Sequence, residues 1–174
     1  MSELDTIAAI ATPPGTGGVG IIRLSGPAAF NIAERLSHSI PRPGTIQFRQ
    51  FFDGLDRTID NGILLYFKAP HSFTGEDVIE IQGHGGQVLQ EMLLGRVCEL
   101  GARLATAGEF SQRAFLNNKF DLAQAEAIAD LIESGSQAAA RAAMRSLQGV
   151  FSDQVHGGRP ERFCVMMSRK VFQC

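Results

Sequence analysis

The sequence predicts an α+β fold: an N-terminal mixed β-sheet with helices packed on it, followed by part of an α-helical domain. Three observations predict it. Short β-type runs, apolar throughout or alternating with polar residues, dominate the first part of the chain between glycine and proline turns. Two helical stripes interrupt them, Ala29-Ile32-Ala33-Leu36 and Val88-Leu89-Met92-Leu93-Val97-Leu100. From Gly108 onward the patterns are helical.

Thr6 to Ala11 is a short apolar run and predicts a strand. Thr12-Pro13-Pro14-Gly15-Thr16-Gly17-Gly18-Val19-Gly20 follows as a loop. Gly15, Gly17 and Gly20 satisfy Gly-x-Gly-x-x-Gly, but that pattern binds a pyrophosphate only where a helix begins at the glycines. Here a β-type run from Val19 to Leu24 follows, so the dinucleotide reading is rejected. Ser25-Gly26-Pro27 opens a helix, because proline loses no hydrogen bond near a first turn. Two β-type segments, about Ile46–Phe52 and Ile59–Phe67, then flank Asp53-Gly54, which predicts a hairpin turn.

From Asp77 to Gln82 the chain alternates, with Ile79 and Ile81 on one face and Val78, Glu80 and Gln82 on the other. Gly83-His84-Gly85-Gly86 is expected to end this strand, and a helix runs on to about Leu100. Glu80 thus projects from a strand just ahead of a glycine turn, a position suited to holding a small polar ligand. The plain alternative is a solvated acid beside a tight connection. His84 is the weaker candidate, since a lone turn histidine is more often exposed than catalytic. Ala102–Ala105 predicts a last short strand, which completes the order β-β-α-β-β-β-α-β.

Beyond Gly108, Glu109 to Lys119 predicts a short helix fraying into a turn. Asp121 then caps a helix over Leu122–Glu133. Gly135 and Ser136 break that helix and cap an Ala-rich third one reaching about Val155. The expected organisation is therefore residues 1–118, 119–156 and an atypical tail at 157–174.

Composition narrows the function classes. The chain has 174 residues, 44% hydrophobic and 20% charged, which fits a soluble globular protein. A formal net charge of -2 argues against a dominant phosphate-binding surface. With no Trp, one Tyr and twelve Phe, stacking platforms for single strands are not evident. The N-terminus has acids and no basic segment, so no signal peptide is expected, and no apolar run nears the ~20 residues of a membrane helix. Cys98, Cys164 and Cys174 make no metal spacing and no even disulfide framework. A reducing cytoplasm is the simplest location. Residues 157–174 differ in character: Arg159, Arg162, Arg169 and Lys170 stand against Glu161 alone, and Gly157-Gly158-Arg159-Pro160 breaks any helix. That tail reads as a frameshifted or foreign end, its plain rival being a short basic tail that touches a nucleic acid.

Three blocks in order resemble one family: Ala11-Thr12-Pro13-Pro14-Gly15 through Arg23-Leu24-Ser25-Gly26, Ser72 through Gly86, and Gly108-Glu109-Phe110 through Asp121-Leu122-Ala123-Gln124-Ala125-Glu126-Ala127. The family is that of the bacterial tRNA-modification GTPase MnmE, also called TrmE, and the resemblance covers roughly residues 1–156. It implies an N-terminal domain that binds a tetrahydrofolate such as 5-formyltetrahydrofolate and forms a homodimer. It further implies a helical domain interrupted by a GTPase domain, where GTP, Mg and K belong. With the flavoprotein MnmG (GidA), such proteins modify C5 of the wobble uridine in certain tRNAs, the folate being expected to supply the one-carbon unit.

The resemblance assigns folate contacts to Arg23, Glu80 and Lys119, with no catalytic residue and no metal site in this chain. A pterin offers adjacent N–H donors that a carboxylate accepts in pairs, which suits Glu80. The anionic glutamyl tail suits Arg23 and Lys119. From the residues alone, Arg23 is equally an exposed strand charge and Lys119 a solvated residue after a helix. Thr16 departs mildly from the family, which commonly has a charge there. The phosphate-cradling Gly-x-x-x-x-Gly-Lys-Ser/Thr loop is absent from this sequence, since none of Lys68, Lys119 and Lys170 follows a glycine. The family's C-terminal Cys-x-Gly-Lys motif is absent as well. Leu122, Ile128, Leu131, Ile132, Met144, Leu147 and Phe151 form an apolar face whose family partners lie in those other segments, so association or instability is expected. Two further readings stand beside folate binding: a ligand-free dimerisation scaffold, and a folate-dependent one-carbon transferase of the glycine-cleavage T-protein kind.

Overall fold

A computed structural model describes residues 5–15 and 17–147, and the chain divides into two compact units between Ala105 and Thr106. Thr16 and the tail at 157–174 lie outside the described residues.

The first unit is a sheet of six strands: β1 (Ile7–Ile10), β2 (Gly17–Ser25), β3 (Ile46–Phe52), β4 (Thr58–Phe67), β5 (Val78–Gly85) and β6 (Arg103–Leu104). Their spatial order is β3-β4-β5-β2-β1-β6. Every pairing is antiparallel except β1 with β6, so the sheet is mixed as the sequence predicts. Helix α1 (Ala29–Ser37) carries the chain from β2 to β3, and α2 (Gln87–Glu99) carries it from β5 to β6. The register aligns apolar rows across the strands: Leu64, Ile81 and Ile22 in one, Tyr66, Ile79 and Leu24 in the next. These side chains are buried in one cluster with Ile32, Leu36, Leu93 and Val97 of the two helices. Burying each of the larger ones stabilises the fold by about 1.5–3 kcal/mol. The alternation that points Ile79 and Ile81 toward the helices must point Glu80 to the opposite face.

Two local expectations change. β5 does not stop at its glycines but runs through Gly83 and His84 to Gly85, where it still pairs with Gly17 of β2. The glycines permit this close pairing: a Cβ on Gly85 would lie 2.3 Å from the Gly17 carbonyl oxygen. The β3–β4 hairpin turns over residues 53–57 rather than at Asp53-Gly54 alone. Asp53 accepts the backbone N–H groups of Leu55 and Arg57 there, at 2.8 and 2.9 Å, and Asp56 takes the left-handed conformation.

The second unit contains α3 (Glu109–Leu116), α4 (Leu122–Glu133) and α5 (Gln137–Leu147). Asp121 caps α4 as expected, in a reciprocal box: its carboxylate accepts from Gln124 N at 2.8 Å, and Gln124 Oε1 accepts from Asp121 N at 2.9 Å. Ser136 Oγ accepts from Ala139 N at the start of α5. Ala125, Ala127 and Ala143 are buried within this unit, whereas Ile132 and Met144 are exposed and Leu122, Ile128, Leu131 and Leu147 half-buried. Phe151 and the rest of the expected third helix lie outside the described residues.

Candidate functional site

The candidate site is built on the face of the sheet opposite α1 and α2. Antiparallel pairing of β2 and β5 sets Arg23 directly across from Glu80, and the same row continues to Leu65 on β4 and Ala9 on β1. Arg23 donates from Nε to Glu80 Oε1 at 2.9 Å, and its Nη2 stands 2.7 Å from the same oxygen as an ion pair. The Glu80 side chain is 15% exposed and that of Arg23 is 30% exposed. Such a pair is less screened than an exposed one, whose worth is roughly 0–1 kcal/mol. A carboxylate has about four lone-pair directions, and Arg23 engages Oε1. Oε2 therefore retains capacity for two N–H donors, at an edge that solvent still reaches. This acceptor fits a heterocycle with adjacent N–H groups.

The Arg23 guanidinium also lies over the Phe73 ring, 5.6 Å from its centroid. Phe73 belongs to the segment between β4 and β5, and that segment is pinned to the end of β2. Ser25 Oγ donates to Glu76 Oε2 at 2.6 Å and lies 2.6 Å from Thr74 Oγ1. A serine hydroxyl has one proton, so Thr74 is the donor to Ser25. Ser25 and Thr74 are completely buried. The Gly26 N–H adds a backbone bond to the Asp77 carbonyl.

A second constellation sits at the end of β5. Asp60, buried on β4, accepts the His84 backbone N–H through Oδ2 (2.8 Å) and meets His84 Nδ1 through Oδ1 (2.6 Å). The Asn61 N–H adds a third bond. Burial pushes the Asp60 carboxyl upward, but the His84 side-chain and backbone bonds, the Asn61 bond and the attraction to His84 outweigh it and hold the carboxyl below its usual range. An ionised Asp60 requires the proton on Nδ1, so the neutral imidazole presents a basic Nε2 on a side chain 64% exposed. His84 is thus an oriented imidazole rather than a loose turn residue.

Lys119 stands in the second unit, exposed just after α3, where its backbone N–H bonds to the Ala114 carbonyl. The structure brings Arg23 and Glu80 into contact and places Lys119 in the other unit. A groove of about 500 Å³ lined by His38, Phe48, Arg49 and Asn61 includes neither Arg23 nor Glu80. The chemistry, not the concavity, marks the site. Sequence reasoning passed over Phe73 and Asp60. Asp60 had a signal: it shares strand parity with the core-facing Leu64 and Tyr66. Phe73 had none, because nothing local shows what a loop ring will meet.

Comparison with known proteins follows the same segments. The profile of the family described as GTP-binding protein TrmE N-terminus matches residues 6–119. A tRNA modification GTPase MnmE of Chromohalobacter salexigens is 63% identical over 151 residues, 87% of this chain and 33% of that protein. One from Acinetobacter baumannii is 61% identical over 157 residues, 90% of this chain and 35% of that protein. One from Neisseria meningitidis is 59% identical over 155 residues, 89% of this chain and 35% of that protein. The chain spans about a third of the length of the curated relatives it matches.

Proposed function

The chain belongs to the TrmE N-terminus family, and from that membership we propose that it is the folate-binding, dimerising N-terminal part of an MnmE-type tRNA modification GTPase. Residues 1–118 form the folate-binding and dimerisation domain in this reading, and 119–156 begin the helical domain. The single observation that supports it most is the Arg23–Glu80 pair, a carboxylate oriented by a cation with Oε2 in reserve. Glu80 holds the N–H edge of the pterin. Because Arg23 is engaged with Glu80, it serves the heterocycle end, and Lys119 serves the anionic glutamyl tail. The folate, when bound, supplies a one-carbon unit.

The whole protein acts with MnmG on C5 of the tRNA wobble uridine in the cytoplasm. GTP, with Mg and K, belongs to a region that this chain does not span. The given sequence has no Gly-Lys phosphate loop, so this segment is expected neither to bind nor to hydrolyse GTP. No helix among the described residues is long and apolar enough to cross a membrane.

Isothermal titration with 5-formyltetrahydrofolate, paired with light scattering, tests the proposal. A dimer that binds the folate is expected. Glu80→Ala is expected to weaken binding by about ten- to a hundredfold, as loss of a charge-assisted bond worth about 1.5–3 kcal/mol requires. Unchanged heats for Glu80→Ala defeat the site assignment. A dimer without folate heat favours the ligand-free scaffold, and one-carbon turnover by the isolated chain favours the transferase.

A further inference from the structure

We infer that His84, oriented by Asp60, is a second recognition point for the folate: its Nε2 accepts a hydrogen bond from an N–H of the ligand beyond the pterin. The inference rests on the folate-binding reading above and adds a contact to Arg23, Glu80 and Lys119.

The dyad joins a buried carboxylate to an exposed ring: the Asp60 side chain is 5% exposed and that of His84 64%. Asp60 accepts from two backbone N–H groups, those of His84 and Asn61, each at 2.8 Å, and these already answer much of what a buried carboxylate demands. The 2.6 Å bond with His84 Nδ1 comes in addition, and it leaves the ring in water. What that bond changes is the ring itself. With its proton on Nδ1 and its plane fixed by Asp60, the neutral imidazole has a single tautomer and keeps the Nε2 lone pair as an acceptor. Among the described residues no hydrogen bond engages Nε2. An imidazole prepared in this way suits a ligand N–H.

Its place on β5 points to the same ligand as Glu80. The two residues stand on one strand, four positions apart, so their Cα atoms are separated by about 13 Å at the usual rise of about 3.3 Å per residue. A pterin whose N–H edge meets Glu80 leaves the rest of an extended folate long enough to span that interval. Beyond the pterin, 5-formyltetrahydrofolate has N–H donors at N10 and at the glutamyl amide. The neighbours of His84 keep the approach open. A Cβ on Gly83 would lie 2.4 Å from Asp60 Oδ2, and one on Gly85 would lie 2.3 Å from the Gly17 carbonyl oxygen. Only glycine fits at both positions, so no adjacent side chain on the strand competes with the imidazole. The anionic carboxylates of the tail remain with Lys119, since a neutral imidazole whose Nε2 is an acceptor has no donor to give them.

The test maps diethyl pyrocarbonate modification of the full chain by mass spectrometry, with and without 5-formyltetrahydrofolate. At a folate concentration about ten times Kd, His84 is expected to react about tenfold more slowly, the factor that occupancy sets, while the exposed His71 reacts equally in both. Calorimetric titration of variants follows, with thermal melts alongside. His84→Phe is expected to weaken folate binding roughly two- to tenfold, the worth of one hydrogen bond. Asp60→Asn is expected to weaken it by a similar factor in the wild type, but by less than about twofold in the His84→Phe background. Nitrogen-15 shifts of the His84 ring should place the proton on Nδ1 in the wild type and show mixed tautomers in Asp60→Asn. If His84→Phe lowers the melting temperature, His84→Asn takes its place. Equal modification of His84 with and without folate overturns the inference, as does wild-type affinity in the His84 variant. An equal loss from Asp60→Asn in both backgrounds overturns the orienting role. A wild type that binds no folate is the separate failure, that of the folate reading, and it removes the inference too.

Discussion

Gly83→Ala isolates the contact that organises the end of β5. A Cβ there would stand 2.4 Å from Asp60 Oδ2 and 3.8 Å from Leu93 Cδ1, so the carboxylate alone obstructs it. Ordinary carbon–oxygen contacts begin near about 3.3 Å, and the carboxylate would have to retreat by roughly 1 Å. It is not free to do so, being buried and held by His84 N at 2.8 Å and His84 Nδ1 at 2.6 Å. Each hydrogen bond to a charged group contributes about 1.5–3 kcal/mol, so weakening both is expected to cost about 3 kcal/mol. The Gly83 backbone has no left-handed φ, so no torsional cost is added. In an Asp60→Ala background the obstruction is gone. Gly83→Ala should then change stability by less than about 0.5 kcal/mol, or raise it slightly through lower unfolded-state entropy. Urea unfolding of the four proteins at constant m-value measures the cycle. An equal cost in both backgrounds, or none in the wild type, refutes the reasoning. Gly85→Ala is the contrast: its Cβ would meet the Gly17 and Val19 carbonyl oxygens, and no side-chain deletion relieves a backbone clash.

Tyr66, the sole tyrosine, is raised above its ordinary value of 10.0 by burial, then by the charge of Asp77 and the hydrogen bond to it. Its folded value exceeds the unfolded one, so its contribution to stability is complete below pH 10 and is lost as pH rises through the folded value. Ultraviolet titration of the folded chain should place the phenolate midpoint above 10, and Asp77→Asn should bring it down; a wild-type midpoint at or below 10 refutes this. Asp121→Ala removes the acceptor for Gln124 N and should cost about 1 kcal/mol, concentrated in α4, with Asp121→Asn nearly neutral. Amide hydrogen exchange localises the effect, and equal loss of protection in α1 would contradict a capping role.

Much of this protein was legible before any coordinates. Helical stripes marked α1 and α2, alternation set Glu80 on the face opposite Ile79 and Ile81, and Asp121 announced the start of α4. Each of these depends on residues within a turn or two of one another, where the backbone period alone decides which side chains share a face. Arg23, Glu80 and Lys119 were singled out by the family resemblance instead, since the strand period gives only the face a residue occupies.

Their arrangement was decided by the tertiary structure. Arg23 and Glu80 are 57 residues apart, and Asp60 and His84 are 24 apart. A strand repeats every two residues, so several registers satisfy its local pattern equally well. Which residue faces which was chosen by the joint packing of Leu64, Ile81 and Ile22 against the helices. That choice put a cation beside a carboxylate, a loop phenylalanine beside that cation, and a buried aspartate under a glycine that the sequence suggested was a turn.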